Sequence, residues 1–324
     1  MEIGSRGVWI TWEIQPRNRS MAELIGVDLY ELICDKPWPL RYPFLIAKTT
    51  RILAMRKAKF VFVQNPSLVL ALYASLIKWV LRFTLVVDFH NGGMYPLEGK
   101  SKLLNRIARL VARLSDVAIV SNDSLAETMT VWNARPIVFP DPIPTIYFGK
   151  ERKAMEDSYV LFICTWAKDE PFMEVIEAAR ILGDEYQIYI TGKYEKSLNS
   201  EDLKDVPNNV KLLGFVSDDD YVNYLLSASV AIDLTLRESC LVCGAYEAIS
   251  ASVPMIVSED KEARKIFSKG FLFTKNKALD IANSIKRSFE DRINLVEDIK
   301  LLKAERLSES EVCKKRLISA LGIE

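Results

Sequence analysis

Asp88 and His90 stand two residues apart at the end of the apolar run in "TLVVDFHNGG", and His90 is the single histidine of 324 residues. On an extended strand that spacing puts both side chains on one face. A carboxylate beside an imidazole can take up a proton near neutral pH, which is the chemistry of a general base and its orienter. Asp88 is the favoured base or base-orienter, with His90 meeting a substrate. The glycines that follow leave room for a ligand, so Asn91 and Gly92 are candidate contacts to an acceptor. Asn65, closing the run "FVFVQN", is either a turn residue or another such contact.

Two further segments could carry chemistry. In "EIQPRNRS" (13–20), Arg17, Asn18 and Arg19 precede "SMAE", which reads as a capping box. Free N–H groups at a helix start and guanidinium donors suit an anionic group such as a diphosphate, and Arg17 and Asn18 are expected on the acceptor side. The third segment is "LTLRESCLVCGAYEAISASVPMIVSED" (234–260). Cys240 and Cys243 form C-x-x-C, yet no second cysteine pair or nearby histidine completes a metal site, so no metal is expected. Gly244 instead allows the backbone to approach a phosphate at a helix start. One turn on, the Glu247 carboxylate could accept hydrogen bonds from a ribose diol.

These residues need a scaffold, and the pattern supplies one. Strands are expected at 8–12, 28–33, 60–65, 84–89, 117–122 and 137–140, then at 159–164, 186–192, 210–215, 230–235, 254–259 and 271–274. Helical periodicity fills most of the gaps, with helix starts expected at "SMAE" (20–23) and "SLAE" (124–127). Such alternation implies an α/β protein with parallel sheets, whose ligands bind beyond the carboxyl ends of the strands. The proline-rich, charged stretch 139–158 reads as a linker. The expected division is a first Rossmann-like domain at 1–145, a second at 146–300 facing it across a cleft, and a helical segment at 301–324. No G-x-G-x-x-G and no P-loop follows the first strand, so hydride transfer and P-loop phosphoryl transfer are not expected.

The net charge of zero hides an asymmetry: residues 1–150 hold 19 Lys/Arg against 12 Asp/Glu. Within 36–113 there are 14 basic and 2 acidic residues. The segments 40–60 and 100–114 are both basic and apolar, which suits either solvated helix faces or a surface resting on anionic lipid. Nucleic acid is not an expected partner, because no nucleic-acid motif accompanies the charge. The five cysteines and the lack of a leader-like start point to a cytoplasmic protein, peripheral on the inner face of a membrane.

The third segment resembles the donor-binding stretch of GT-B glycosyltransferases of the family 4 type, which reads roughly E-G-x-G-x-x-x-x-E-A. With "FVFVQNPSLVLALYAS", "LVVDFHNGG", "TWAKDEPFMEVIEAA" and "ITGKY", the likeness spans about residues 60–290 and is nearest to the β-mannosyltransferases acting on chitobiosyl-diphosphodolichol. It implies a GT-B fold, a nucleotide-sugar donor as substrate with no further cofactor, and a lipid-linked or growing polysaccharide acceptor. By position, Glu247 would hold the donor ribose. Ser239, Cys243, Gly244 and Ala245 would surround the diphosphate, and Phe215 and Val216 would lie by the base. Lys193 is either a source of charge for the diphosphate or a solvated turn residue. Glu238 sits one residue out of the family spacing, with eight residues before Glu247 where the pattern has seven. The Arg/Lys pair of retaining members is missing after "YVLFIC", where Lys168 stands alone, so the likeness favours an inverting enzyme; metal independence is expected because no D-x-D stands between strand ends and helix dipoles can neutralise the diphosphate. Rival readings are a nucleotide-sugar epimerase and an inactive sugar-nucleotide-binding subunit.

Overall fold

A computed structural model describes residues 3–65, 67–145 and 158–323. All twelve expected strands form, in two parallel sheets of six. The first sheet contains β1 (Gly7–Thr11), β2 (Asp28–Glu31), β3 (Phe60–Asn65), β4 (Thr84–Phe89), β5 (Val117–Val120) and β6 (Pro136–Val138), ordered β2-β1-β3-β4-β5-β6. The second contains β7 (Tyr159–Phe162), β8 (Gln187–Thr191), β9 (Val210–Gly214), β10 (Val230–Asp233), β11 (Met255–Ser258) and β12 (Phe271–Thr274), ordered β12-β11-β10-β7-β8-β9. Runs such as "VWI" and "LVV" are apolar without alternation because these strands are covered on both faces.

The helices that cover the first sheet are α1 (Pro16–Ile25), α2 (Trp38–Arg56), α3 (Leu68–Leu81), the short α4 (Asn91–Met94), α5 (Lys102–Leu114) and α6 (Asp123–Val131). Around the second lie α7 (Phe172–Leu182), α8 (Ser200–Lys204), α9 (Asp218–Ser227), α10 (Cys243–Ala251), α11 (Lys261–Ile266) and α12 (Ala278–Glu290), and α13 (Arg292–Ala320) ends the chain. Each sheet carries a buried apolar cluster on both faces.

The chain divides into two compact units, one of Met1–Pro142 with Leu307–Glu324 and one of Ile143–Arg306. The end segment read at 301–324 is therefore shared. Cys313 and Leu317 of α13 pack in the first unit, in the cluster that holds Ile25, Val117 and Phe139. The linker reading also changes at its start. Phe139 is fully buried and Asp141 pairs with Arg17, while 146–157 lie outside the described residues.

Two helix starts differ from the capping-box reading. Helix α1 begins at Pro16, whose fixed φ and missing N–H suit a first helical position, so Ser20 lies inside the helix. Helix α6 is capped by Asn122, whose side chain accepts from the Leu125 N–H, two residues before the expected Ser124. The first shift matters for function, because it moves Arg17 and Asn18 from a loop into the first turn of α1.

Candidate active site

In the first unit the loops after β1, β3, β4 and β6 leave one edge of a parallel sheet, and their polar residues meet there. The register sets Gln64 of β3 beside Asp88 of β4. Arg17 reaches the same point from α1 and is only 5% exposed. Its Nε and Nη2 donate to the two Asp88 oxygens at 2.9 and 2.8 Å, and Nη2 also donates to the Phe139 carbonyl at 3.0 Å. Its Nη1 donates to Asp141. Burial by itself would raise the Asp88 pKa, but the charges and hydrogen bonds of Arg17 and His90 outweigh it and hold the carboxyl far below the usual range.

His90 caps α4 in extended backbone, its side chain 25% exposed, with Nε2 3.0 Å from Asp88 Oδ2. An ionised carboxylate only accepts, so Nε2–H donates to it and Nδ1 keeps its lone pair. A quarter-exposed imidazole oriented by a buried carboxylate can accept a proton from a hydroxyl. The carboxylate itself is closed in by Arg17, which suits Asp88 to the orienting role of the two considered for it.

The remaining first-unit candidates are placed as follows. Asn18 is fully buried, accepting from Trp9 Nε1 at 3.0 Å and donating to Gln64 Oε1 at 2.8 Å. Arg17 and Asn18, expected on a loop ahead of the helix as acceptor-side contacts, are thus committed to internal partners, and Arg19 donates to Glu31 through two nitrogens. Asn65 is buried, with Nδ2 donating to the Gly93 carbonyl at 3.3 Å. A Cβ at Gly93 would sit 2.2 Å from the Asn65 carbonyl oxygen, so this approach requires glycine. Asn91 begins α4, and Gly92 is exposed beside a cavity.

In the second unit, the start of α10 follows the loop after β10. The Gly244 N–H donates to Asp233 Oδ2 at 3.1 Å. A Cβ at Gly244 would lie 2.6 Å from that oxygen and 2.8 Å from Ile163 Cδ1, so glycine permits the close approach of helix and strand end. Ala245 is buried behind it and Cys243 is exposed at the first helical position. Glu247 accepts a hydrogen bond from the Tyr221 hydroxyl of α9. Burial pushes the Glu247 carboxyl up, partly offset by that hydrogen bond. Asp233 is raised well above its ordinary value by burial and then by Glu170 nearby.

Other donor candidates gather at two points. Lys193, after β8, lies over the ring of Phe215, after β9, at 5.0 Å, and Val216 follows with partial exposure. Ser239 holds positive φ and its N–H donates to Asp260 at 3.0 Å. Glu238 is exposed on the same loop, and no hydrogen bond or ion pair joins it to Glu247. The loop after β7 is organised by Glu170, whose carboxylate accepts from the Thr165 and Ala167 N–H groups, each at 2.9 Å. Among the described residues no cluster of His, Cys, Asp or Glu could hold a metal ion.

Sequence reasoning missed Gln64, Asp141, Tyr221, Asp233 and Glu170. The polar pair Gln64-Asn65 closing an apolar strand was a usable signal; Asp141, 124 residues from its partner, offered none.

Residues 145–306 match the family described as "Glycosyl transferases group 1". No curated protein matches the chain. Among solved structures, Anabaena HepE in complex with UDP is similar at TM-score 0.74 and 11% identity, covering 99% of this chain and 100% of that one. Sucrose-phosphate synthase of Thermosynechococcus elongatus gives 0.69 and 12%, over 96% and 97% of the two chains. MnaA of S. aureus, in a co-structure with UDP, gives 0.63 and 13%, over 98% and 95%. At such identities the likeness speaks for the fold, and the fold is GT-B.

Proposed function

The chain belongs to the glycosyl transferases group 1 family, and we propose that it moves a sugar from a UDP- or GDP-linked donor to a lipid-linked or growing surface glycan, with inversion. The observation that carries this reading is the chain Arg17–Asp88–His90, which leaves an oriented imidazole nitrogen at the carboxyl edge of the first sheet. His90 Nδ1 removes the proton from the acceptor hydroxyl. The freed oxygen attacks the anomeric carbon, and the bond to the diphosphate breaks with its electron pair on the leaving nucleoside diphosphate. Asp88 is the positioning residue that stabilises the imidazolium, and Arg17 holds Asp88 ionised.

The donor would be held by the second unit. Glu247, with Tyr221 beside it, takes the ribose hydroxyls, and the positive end of the α10 dipole receives the diphosphate, the Gly244 N–H there being held by Asp233. Phe215 and Val216 are proposed to lie by the base. The UDP complexes of HepE and MnaA among the similar structures support a nucleotide donor. The lack of an Arg/Lys pair after β7, where Lys168 stands alone, supports inversion, and a Lys/Arg-rich first unit supports a peripheral place on the cytoplasmic membrane face, with no metal required. No helix among the described residues is long and apolar enough to cross a membrane.

The test is acceptor-dependent release of nucleoside diphosphate from UDP- and GDP-sugars, with the anomeric configuration of the product read by NMR. Release only with acceptor, and a product of opposite configuration, is expected. Turnover of the donor alone would instead identify an epimerase, and retention of configuration would remove the role given to His90.

A further inference from the structure

The second sheet grows in opposite directions from β7, toward β9 on one side and β12 on the other, so a crevice opens beyond the ends of β7 and β10. Two carboxyls lie near one another there, Asp233 at the end of β10 and Glu170 in the loop after β7. Donors surround Glu170: the Thr165 and Ala167 N–H groups, the Thr165 hydroxyl and the Cys164 thiol. Asp233 has one. Its Oδ2 accepts from the Gly244 N–H at 3.1 Å, while Oδ1 has no partner among the described residues, although the residue is only 9% exposed.

The surroundings of Asp233 bring it no positive charge. Glu247 of α10, Tyr221 of α9 and the Cys164 and Cys240 thiols are the other titratable groups that bear on it, and Arg237, beside Cys240, is paired with Asp169. Burial, and after it Glu170, push the Asp233 carboxyl well above its ordinary range in spite of the Gly244 hydrogen bond. A neutral carboxyl has a donor as well as an acceptor. With Oδ2 taking the Gly244 N–H, the proton belongs on Oδ1.

The helix start has need of that donor. The Gly244 and Ala245 N–H groups, which a diphosphate would otherwise meet, are held by Asp233 and by the Val242 carbonyl. No Arg/Lys pair follows β7 to replace them. Val242, the N-cap of α10, also lines a cavity of about 120 Å³ with Thr235 and Ser258, which leaves room beside the helix start.

We infer that Asp233 is a catalytic residue, a carboxylic acid whose Oδ1–H donates to the leaving diphosphate. As the bond from the anomeric carbon to the diphosphate oxygen breaks, its electron pair moves onto the diphosphate and the Asp233 hydrogen bond strengthens. The proton stays on Asp233, so the one proton transferred is that taken by His90 from the acceptor. The inference rests on the glycosyl-transfer reading and adds the group that receives the leaving charge.

Infrared difference spectra of the full chain with and without UDP or GDP, at neutral pH, test it. The wild type should show a carboxylic acid carbonyl band that moves when nucleotide binds, and Asp233→Asn should lack it. That variant keeps an oxygen for Gly244 and an N–H for the phosphate, so its nucleotide affinity should stay near that of the wild type. Asp233→Leu, with no donor, should bind nucleotide roughly 10- to 100-fold more weakly. Its kcat should fall by about 100-fold, the effect of removing one donor to a developing negative charge. Absence of the band, a band unmoved by nucleotide, or unchanged affinity and kcat in Asp233→Leu would overturn the inference. If Asp233→Leu does not fold, the infrared comparison of wild type and Asp233→Asn decides alone. A wild type that binds nucleotide and turns over with acceptor, yet shows no such band, defeats this inference alone. One that binds neither nucleotide defeats the transfer reading with it.

Discussion

The two units share a sheet architecture but treat buried carboxyls in opposite ways. In the first, Asp88 is buried against a buried arginine, and its ionised form is the stable one. In the second, burial raises the Asp233 and Glu247 carboxyls, and no cation among their principal influences reverses it. The difference matches two chemical tasks. A base needs a fixed negative charge behind its imidazole, whereas a diphosphate is better received beside a carboxyl that burial favours as neutral and that anchors a helix start through Gly244. Cation-paired acid on one sheet and acid without a cation partner on the other is the contrast on which the proposed acceptor and donor roles rest.

The largest effect should come from the residue at the end of the paired chain. His90→Gln should lower kcat by about 100- to 10,000-fold, the usual contribution of a general base, with donor KM little changed. An equal rise in donor KM would mean that His90 binds donor instead. Asp88→Asn should cost about 3 kcal/mol of stability, the low end for a broken buried ion pair, because it removes the carboxylate that takes two Arg17 nitrogens and leaves the buried guanidinium Asp141 alone. A melting temperature within a degree or two of the wild type would show that the pair is not what holds this edge together.

The pH dependence should separate the units by sign. Asp88 has its folded pKa depressed, so its contribution is complete above the unfolded value of about 3.9 and is lost as pH falls below it. Asp233 has its folded pKa raised, so the wild type loses stability as pH rises above about 3.9 toward the folded value. The melting temperature of Asp88→Asn relative to wild type should therefore worsen with rising pH up to about 5, and that of Asp233→Asn should improve over a higher range. Parallel curves would erase the contrast. A smaller effect is expected at the helix start, where Gly244→Ala should cost roughly 1–3 kcal/mol by forcing a Cβ against Asp233 and Ile163.

What could be read in the sequence follows the range of the interactions. Every strand was legible, since a parallel strand covered on both faces announces itself as a local apolar run. The Asp88–His90 pair was legible for the same reason, being two residues on one strand. Arg17 was misplaced because Pro16, rather than a capping box, starts its helix, and because its partners lie 71 and 124 residues away. Glu247 was singled out by its place one turn into a helix and by likeness, but the Tyr221 hydroxyl that donates to it, 26 residues earlier on another helix, leaves no mark in the sequence.

The most direct test is calorimetric titration of the wild type and Glu247→Gln with UDP and GDP. One nucleotide should bind the wild type, and the variant should bind it at least about 10-fold more weakly, the loss expected when a carboxylate that accepts from ribose hydroxyls becomes an amide. Equal binding by the two proteins, or no binding of either nucleotide, would contradict a donor site at the start of α10.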